Sequence, residues 1–311
     1  MVKEVAEQDK PLAYVLGTQP FHPLPVELLV RPPTLIPRPE TEHWVSLLSQ
    51  RLLHSSFACS TLGASHRRPF RLLDIGTGTG CIALGLTYAL ATAAKERRAV
   101  EGIAVDRSLS ALELATDNAK RCGLLRGDDE PSSTSRLSPS PRSHVSLVQA
   151  DLFSPSFLST VLLPSSNAPP SSKPPSYPPS SSQRFDLVVS NPPYIPLHEY
   201  EQLERSVREW EDRGALVGEL PGVRGEKGQG AQDDGLVFYR RIVSLLPELL
   251  VPSSLDGGDA GEGAGPPVVA FEVGKGQARA VERMLLEEGF GAEVIEDPWG
   301  VERAVFGFAK R

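Results

Sequence analysis

Asn191-Pro192-Pro193-Tyr194, set directly behind the run Phe185-Asp186-Leu187-Val188-Val189-Ser190, is the stretch of this chain best fitted for chemistry. The run reads as a buried parallel strand, and open α/β sheets take their ligands at the carboxyl ends of such strands. Two consecutive prolines fix φ at about −65° and remove two backbone donors, which leaves the carbonyls and the Asn191 amide to face a ligand. An amide side chain beside a fixed carbonyl suits the NH₂ group of a planar amide or amino substrate, because each proton needs its own acceptor. Tyr194 adds a flat apolar face. The plainer reading is a strand that ends in a proline turn with an Asn cap.

The second chemical feature is Asp74-Ile75-Gly76-Thr77-Gly78-Thr79-Gly80, with Leu72-Leu73 ahead of it and Cys81-Ile82-Ala83-Leu84 behind. A short apolar strand running through close glycines into an apolar helix opens a nucleotide-binding βαβ unit. Glycine lets backbone approach a ligand, and the helix that follows offers unpaired N–H groups. The spacing is G-x-G-x-G, not the G-x-G-x-x-G of dinucleotide folds, and Asp74 would repel a pyrophosphate. A cationic cofactor suits it, with Asp74 and Ile75 as neighbours of the positive charge. Glycine turns of this kind also occur with no ligand at all.

Next, Val100-Glu101-Gly102-Ile103-Ala104-Val105-Asp106 reads as a strand whose terminal acid is placed to accept from two ribose hydroxyls. Asp106 is equally an N-cap for the helix behind it, and both roles are compatible. Leu147-Val148-Gln149-Ala150-Asp151-Leu152-Phe153 gives a third strand with a terminal acid, Asp151, and two apolar residues, Leu152 and Phe153, to flank an adenine.

The elements that must position these residues alternate. Strands are expected at 71–75, 100–106, 145–149, 185–190, 268–273, 293–295 and 304–308, and helices at 81–95, 108–122, 236–250 and 276–288. That order predicts an α/β fold with a mostly parallel sheet covered by helices on both faces. Residues 1–68 read as an N-terminal extension to a domain over 69–311. Within it, 19–30 is a hairpin or an irregular linker, and Glu40, Thr41 and Glu42 start a helix through 44–53 with Pro37 and Pro39 setting its approach. Four Ser-, Pro-, Gly- or charge-rich stretches, 126–143, 164–183, 218–233 and 252–267, look inserted. They have too little apolar surface to offset their ordering entropy and are expected to be disordered.

A formal net charge of −7 over 311 residues argues against reliance on nonspecific attraction to nucleic acid. Cys59, Cys81 and Cys122 have neither metal nor disulfide spacing, which suggests a reducing compartment, and Cys81 is read as a small packing residue. The 6 histidines show no ligand spacing, so no metal is expected. No apolar run reaches membrane-spanning length, and the acidic start carries no visible targeting segment.

Taken in order, these motifs resemble the class I S-adenosylmethionine-dependent methyltransferases, and among them the HemK/PrmC family of protein-glutamine N5-methyltransferases. The resemblance runs from Pro11 nearly to the C-terminus. It is also carried by Pro11-Leu12-Ala13-Tyr14-Val15-Leu16-Gly17 with Phe21, Leu35-Ile36-Pro37-Arg38-Pro39-Glu40-Thr41-Glu42, Asp234-Gly235-Leu236 with Tyr239-Arg240, and Asp297-Pro298-Trp299-Gly300 with Arg303. It implies a Rossmann-like seven-stranded sheet whose last strand inserts antiparallel. The implied cofactor is S-adenosyl-L-methionine, held by Asp74, Gly76, Thr77, Gly78, Thr79, Gly80, Asp106, Asp151, Leu152 and Asn191. The implied substrate is the glutamine of the Gly-Gly-Gln loop of a peptide chain release factor, bound by a monomer without membrane or stable nucleic-acid contact. For that amide the acceptors are the Asn191 side-chain oxygen and the Pro192 carbonyl, with Pro193 stiffening the corner and Tyr194 packing on the amide.

Some features depart from the family. Its members carry a helical domain ahead of the Y-x-x-G segment, whereas ten residues precede Pro11 here, so we expect a fragment or a different mode of docking. The family's Glu-Pro pair is Glu211-Asp212 in this chain, and Arg38 is either part of the pocket wall or a surface ion pair. Since Pro-Arg-Pro-x-Thr-Glu resembles bacterial and organellar members and the Ser/Pro-rich stretches suggest a eukaryotic chain, mitochondria are the expected location. The rival readings are an amino-methyltransferase acting on adenine in DNA or RNA, and a noncatalytic binding module on the same fold.

Overall fold

The computed structural model describes residues 5, 7–54, 68–94, 98–125, 142–163, 183–219, 233–252 and 265–309. Leu12–Leu16 (α1) ends at Gly17, whose φ of 78° allows its N–H to close on Ala13 O at 2.8 Å. Thr18–Gln19 (β1) then pairs antiparallel with Leu28–Leu29 (β2), so residues 19–30 do form a hairpin, of two-residue strands. Pro39–His54 (α2) follows, with Glu40 and Glu42 in its first turn and Arg51 and His54 in its last, the charge order that a helix dipole favours. Its inner face buries Trp44, Val45, Leu48 and Leu52.

Phe70–Ile75 (β3), Cys81–Ala94 (α3), Val100–Asp106 (β4), Leu109–Arg121 (α4) and His144–Gln149 (β5) come next, then Phe157–Leu162 (α5) and Leu187–Ser190 (β6). Three short helices, Leu197–Tyr200 (α6), Arg205–Arg208 (α7) and Arg213–Leu216 (α8), precede Val237–Leu249 (α9). Pro267–Glu272 (β7), Ala278–Glu287 (α10), Gly291–Glu296 (β8) and Glu302–Phe308 (β9) complete the chain. The sheet order is β5-β4-β3-β6-β7-β9-β8. All neighbours are parallel except β9, which lies antiparallel to both β7 and β8.

β3, β6 and β7 are buried along their whole length, as strands covered on both faces must be. Their side chains alternate between two cores. Leu72, Leu187, Val189 and Ala270 point to the core that holds α2, α3, Phe21 and Leu28, while Leu73, Val188, Val269 and Phe271 point to the one that holds α5, α9 and α10. Phe21, Leu28 and α2 therefore share a core with the sheet. The chain builds β3, β4 and β5 outward in one direction and then returns to place β6 on the other side of β3. Such a reversal opens a crevice at the carboxyl ends of the two central strands.

Local differences from the sequence reading have local causes. Phe185 lies outside β6, bridging instead to Leu250, because Asp186 is drawn to Arg71 N at 2.8 Å and to Arg68 Nη2 at 2.5 Å. α5 and the three short helices at 197–216 were not expected, since none carries two turns of apolar periodicity. Of the four stretches read as insertions, most residues lie outside the described residues. At their edges Ser143 accepts from Val100 N, Gly218 N donates to Ile195 O, Asp233 accepts from Leu197 N, and Pro267 opens β7, so these positions belong to the fold.

Candidate active site

The glycine loop leaves β3 and takes positive φ at Gly76 (77°), Gly78 (54°) and Gly80 (84°), conformations that a side chain would strain. It is held from below and beside. Gly76 N and Thr77 N both donate to Val105 O, at 2.8 and 2.9 Å. Thr77 Oγ1 donates to Asp74 Oδ2 at 2.7 Å, and Ala83 N donates to the same oxygen at 3.2 Å. Asp74 is fully buried, and burial pushes its carboxyl up to about 7.

Gly76, Thr77, Gly78 and Thr79 line a cavity at the crevice, together with Asp106, Asp151, Leu152, Phe153, Asn191, Pro192 and Pro193. Three residues expected at the ligand are not among those lining it. Asp74 lies beneath the loop, where it accepts from Thr77 and from Ala83 in the first turn of α3. Gly80 packs into the helix start, where an added Cβ would stand 3.1 Å from Leu84 Cδ1 and 3.4 Å from Ala115 Cβ. Tyr194 turns its partly buried ring toward the core around α9 and α10, where a Cβ on Gly274 would come within 2.9 Å of it. Its hydroxyl is pushed well above the ordinary phenol range by burial.

Asp106, at the end of β4, accepts from Gly78 N through Oδ2 at 3.0 Å and from Ser108 N through Oδ1 at 2.9 Å. It thus ties the glycine loop to the start of α4, although the N-cap of α4 is Ser108, whose hydroxyl accepts from Ala111 N. Burial raises the Asp106 carboxyl, and the bonds from Ser108 and Gly78 lower it. Each carboxylate oxygen keeps a lone pair for a further donor. Across the cavity, Asp151 Oδ1 accepts from Phe153 N at 2.9 Å, which fixes the turn, and Phe153 meets Phe238 edge-on at 5.2 Å.

The corner behind β6 is braced from outside. Ser190 Oγ donates to Ile75 O at 2.6 Å and so joins the ends of the two central strands. Tyr194 N and Ile195 N both donate to Leu216 O, and Gln277 Nε2 donates to Tyr194 O at 2.9 Å. Gly235 is required here, since a Cβ on it would lie 1.9 Å from Tyr194 O. Among the described residues the Asn191 side chain has no hydrogen-bond partner, and no donor reaches the Pro192 carbonyl. Both residues line the cavity.

Several supporting contacts join residues far apart in the sequence. Asn118 Oδ1 accepts from Leu29 N at 2.7 Å, and its Nδ2 donates to Leu29 O and Thr79 O, which joins the hairpin, the glycine loop and α4. Glu211 has a fully buried side chain and accepts from Arg38 Nη2 at 2.6 Å. Asp212 N donates to Pro33 O at 2.7 Å, so residues 33–38 and 211–215 form one wall over the cavity. Arg38 is thereby part of that wall. Glu272, the residue after Phe271, which pairs with Ser190, accepts from Thr41 Oγ1 at 2.6 Å and from Trp44 Nε1 at 2.8 Å. Among the described residues no His, Cys, Asp and Glu cluster has metal-ligand geometry.

These features fit an adenosine-bearing sulphonium cofactor: a bare glycine loop, a diol-acceptor carboxylate at the end of β4, and apolar Leu152 and Phe153 for a flat base. Asp106→Ala should therefore weaken S-adenosylmethionine binding by about 1–3 kcal/mol, the loss typical of a charged hydrogen bond, with the fold retained. Isothermal titration checks this, and an unchanged dissociation constant would remove Asp106 from the cofactor site.

No protein-family profile matches the chain. Individual relatives do. A release factor glutamine methyltransferase of Geobacter sulfurreducens is 32% identical over 299 residues, covering 96% of this chain and 73% of that protein. The Bacillus cereus protein of the same name is 30% identical over 299 residues, covering 95% and 75%. A crystal structure of a release factor-specific protein-(glutamine-N5) methyltransferase from Alicyclobacillus acidocaldarius covers 89% of this chain and 95% of its own at 19% identity and a TM-score of 0.36. With the glycine loop, the acid after β4 and the Asn-Pro-Pro-Tyr corner meeting at one crevice, and with relatives matched along nearly its whole length, the chain belongs to the release factor glutamine methyltransferase family.

Proposed function

We propose that this chain methylates the side-chain nitrogen of the glutamine in the Gly-Gly-Gln loop of a peptide chain release factor, using S-adenosylmethionine. The observation that carries this is the pair of unpaired acceptors, Asn191 Oδ1 and Pro192 O, on the wall of a cavity that also presents Asp106 and the glycine loop. The bound cofactor supplies an electrophilic methyl group on a positively charged sulphur. Asp106 and the loop would hold its ribose and amino-acid portions, and Leu152 with Phe153 would flank its base.

A carboxamide nitrogen is a poor nucleophile because its lone pair is delocalised into the carbonyl, as in the peptide bond. Asn191 Oδ1 and Pro192 O can accept one N–H each, which keeps electron density on nitrogen and fixes its direction. Orientation of this kind lowers a barrier by roughly 7–11 kcal/mol in favourable cases. No general base is needed before transfer, and the extra proton leaves the product nitrogen toward one of the same acceptors or to water. The wall joined by Arg38 and Glu211 limits water at the site. The protein acts as a monomer and without nucleic acid in this reading, which the net charge of −7 supports. A mitochondrial setting is proposed on the Pro-Arg-Pro-x-Thr-Glu segment together with the Ser/Pro-rich stretches.

The test is incubation with methyl-labelled S-adenosylmethionine and a release factor, followed by the same factor with its Gly-Gly-Gln glutamine changed to alanine. One methyl per molecule, lost in the variant, is expected. Label that persists in the variant, or that goes to adenine in added nucleic acid, contradicts the reading.

A further inference from the structure

Among the described residues Trp299 is the most exposed large apolar side chain, at 75%. Its turn is held rigidly. Oδ1 of the buried Asp297 accepts from Trp299 N at 2.9 Å and from Val301 N at 3.0 Å, while Oδ2 accepts from Arg303 Nε at 3.1 Å. Asp297 N and Val301 O close the turn at 2.8 Å, and Gly300 N donates to Asp297 O at 3.0 Å. These bonds around one buried carboxylate fix the backbone of the turn that carries the exposed indole.

Topology places that turn at the reaction end of the sheet. β9 is antiparallel to β7 and β8 is antiparallel to β9, so β8 runs the same way as β6 and finishes at the same edge. Ala304 pairs with both Glu272 and Ile295, and Glu272 follows Phe271, the partner of Ser190, just as Asn191 follows Ser190. The base of the Trp299 turn is thus three strand positions from the acceptor corner, roughly 14 Å at the usual strand spacing. A standard protein interface buries about 800 Å² on each partner, a disc of roughly 16 Å radius. An interface of that size centred on Asn191 reaches this turn.

We propose that Trp299 is a docking anchor for the protein substrate, packing against the folded domain that flanks its Gly-Gly-Gln loop. This rests on the function proposed above. An indole on a fixed turn gives a large contact area at little entropic cost, which is why Trp dominates protein interfaces. Trp299 does not line the cavity of the candidate active site, and its exposed indole suits a protein surface.

The experiment compares wild type, Trp299→Ala and Trp299→Phe on an intact release factor and on a short peptide with the same Gly-Gly-Gln sequence. Trp299→Ala should raise KM for the intact factor by about tenfold, within the range of interface anchors, with kcat, peptide kinetics, S-adenosylmethionine affinity and thermal midpoint unchanged. Trp299→Phe should recover most of the loss. An unchanged KM for the intact factor overturns the proposal, as does an equal loss on factor and peptide, which marks damage to the reaction centre. Loss of vesicle binding or self-association in Trp299→Ala with KM unchanged also overturns it, assigning the indole to another surface. If wild type methylates neither substrate, the functional reading itself falls and this proposal with it.

Discussion

Asn191→Ala lowers kcat for methyl transfer by about 10²–10³-fold, the cost of removing one preorganised group that acts on the reacting atoms. Two features make the effect large and clean. The Asn191 side chain lines the cavity and has no hydrogen-bond partner among the described residues, so its removal breaks nothing in the fold. The Pro192 carbonyl is left as the single acceptor, and the amide gains freedom to turn its nitrogen away. Thermal and urea midpoints should stay near wild type, as for most substitutions that leave packing intact. Steady-state kinetics on a release factor, with stability measured on the same samples, checks both halves. A kcat within twofold of wild type would exclude Asn191 from the reaction.

Trp44→Ala should cost about 3–5 kcal/mol, the range for emptying a buried aromatic site. The indole is fully buried in the core between α2 and the sheet, and its Nε1 donates to Glu272 Oε2 at 2.8 Å. Truncation therefore opens a cavity and also removes a donor from a fully buried carboxyl whose ionisation burial already disfavours. Since folded domains hold about 5–15 kcal/mol in total, the variant sits near the threshold of folding. Trp44→Phe keeps most of the volume and loses the donor, so a smaller loss of about 1–3 kcal/mol is expected. Urea unfolding reads both. A Trp44→Ala midpoint equal to wild type would mean that α2 does not share the core of the sheet.

The central strands were legible because burial on both faces demands continuous apolar runs: 70–75, 100–106 and 267–272 differ from the sequence reading by a residue or two at most. The glycine loop, Asp106 and the Asn-Pro-Pro corner were legible for a different reason, namely that their backbone geometry tolerates few residue types. What escaped was pairwise and long-range. Nothing in the sequence joins Arg38 to Glu211 or Trp44 to Glu272, separated by 173 and 228 positions, and only the fold brings them together. The same blindness hid the orientation of Asp74 and Tyr194, neither of which is among the residues lining the cavity. Spacing shows that a side chain is near a site, but not which way it turns, and both turn inward to support the residues that face the ligand.

The most direct measurement is a crystal structure of the protein with S-adenosylhomocysteine and a peptide containing Gly-Gly-Gln. The glutamine nitrogen should lie within about 2.8–3.2 Å of both Asn191 Oδ1 and Pro192 O, ordinary hydrogen-bond distances. A glutamine bound elsewhere, or one whose carbonyl oxygen and not its nitrogen meets the corner, would contradict the account.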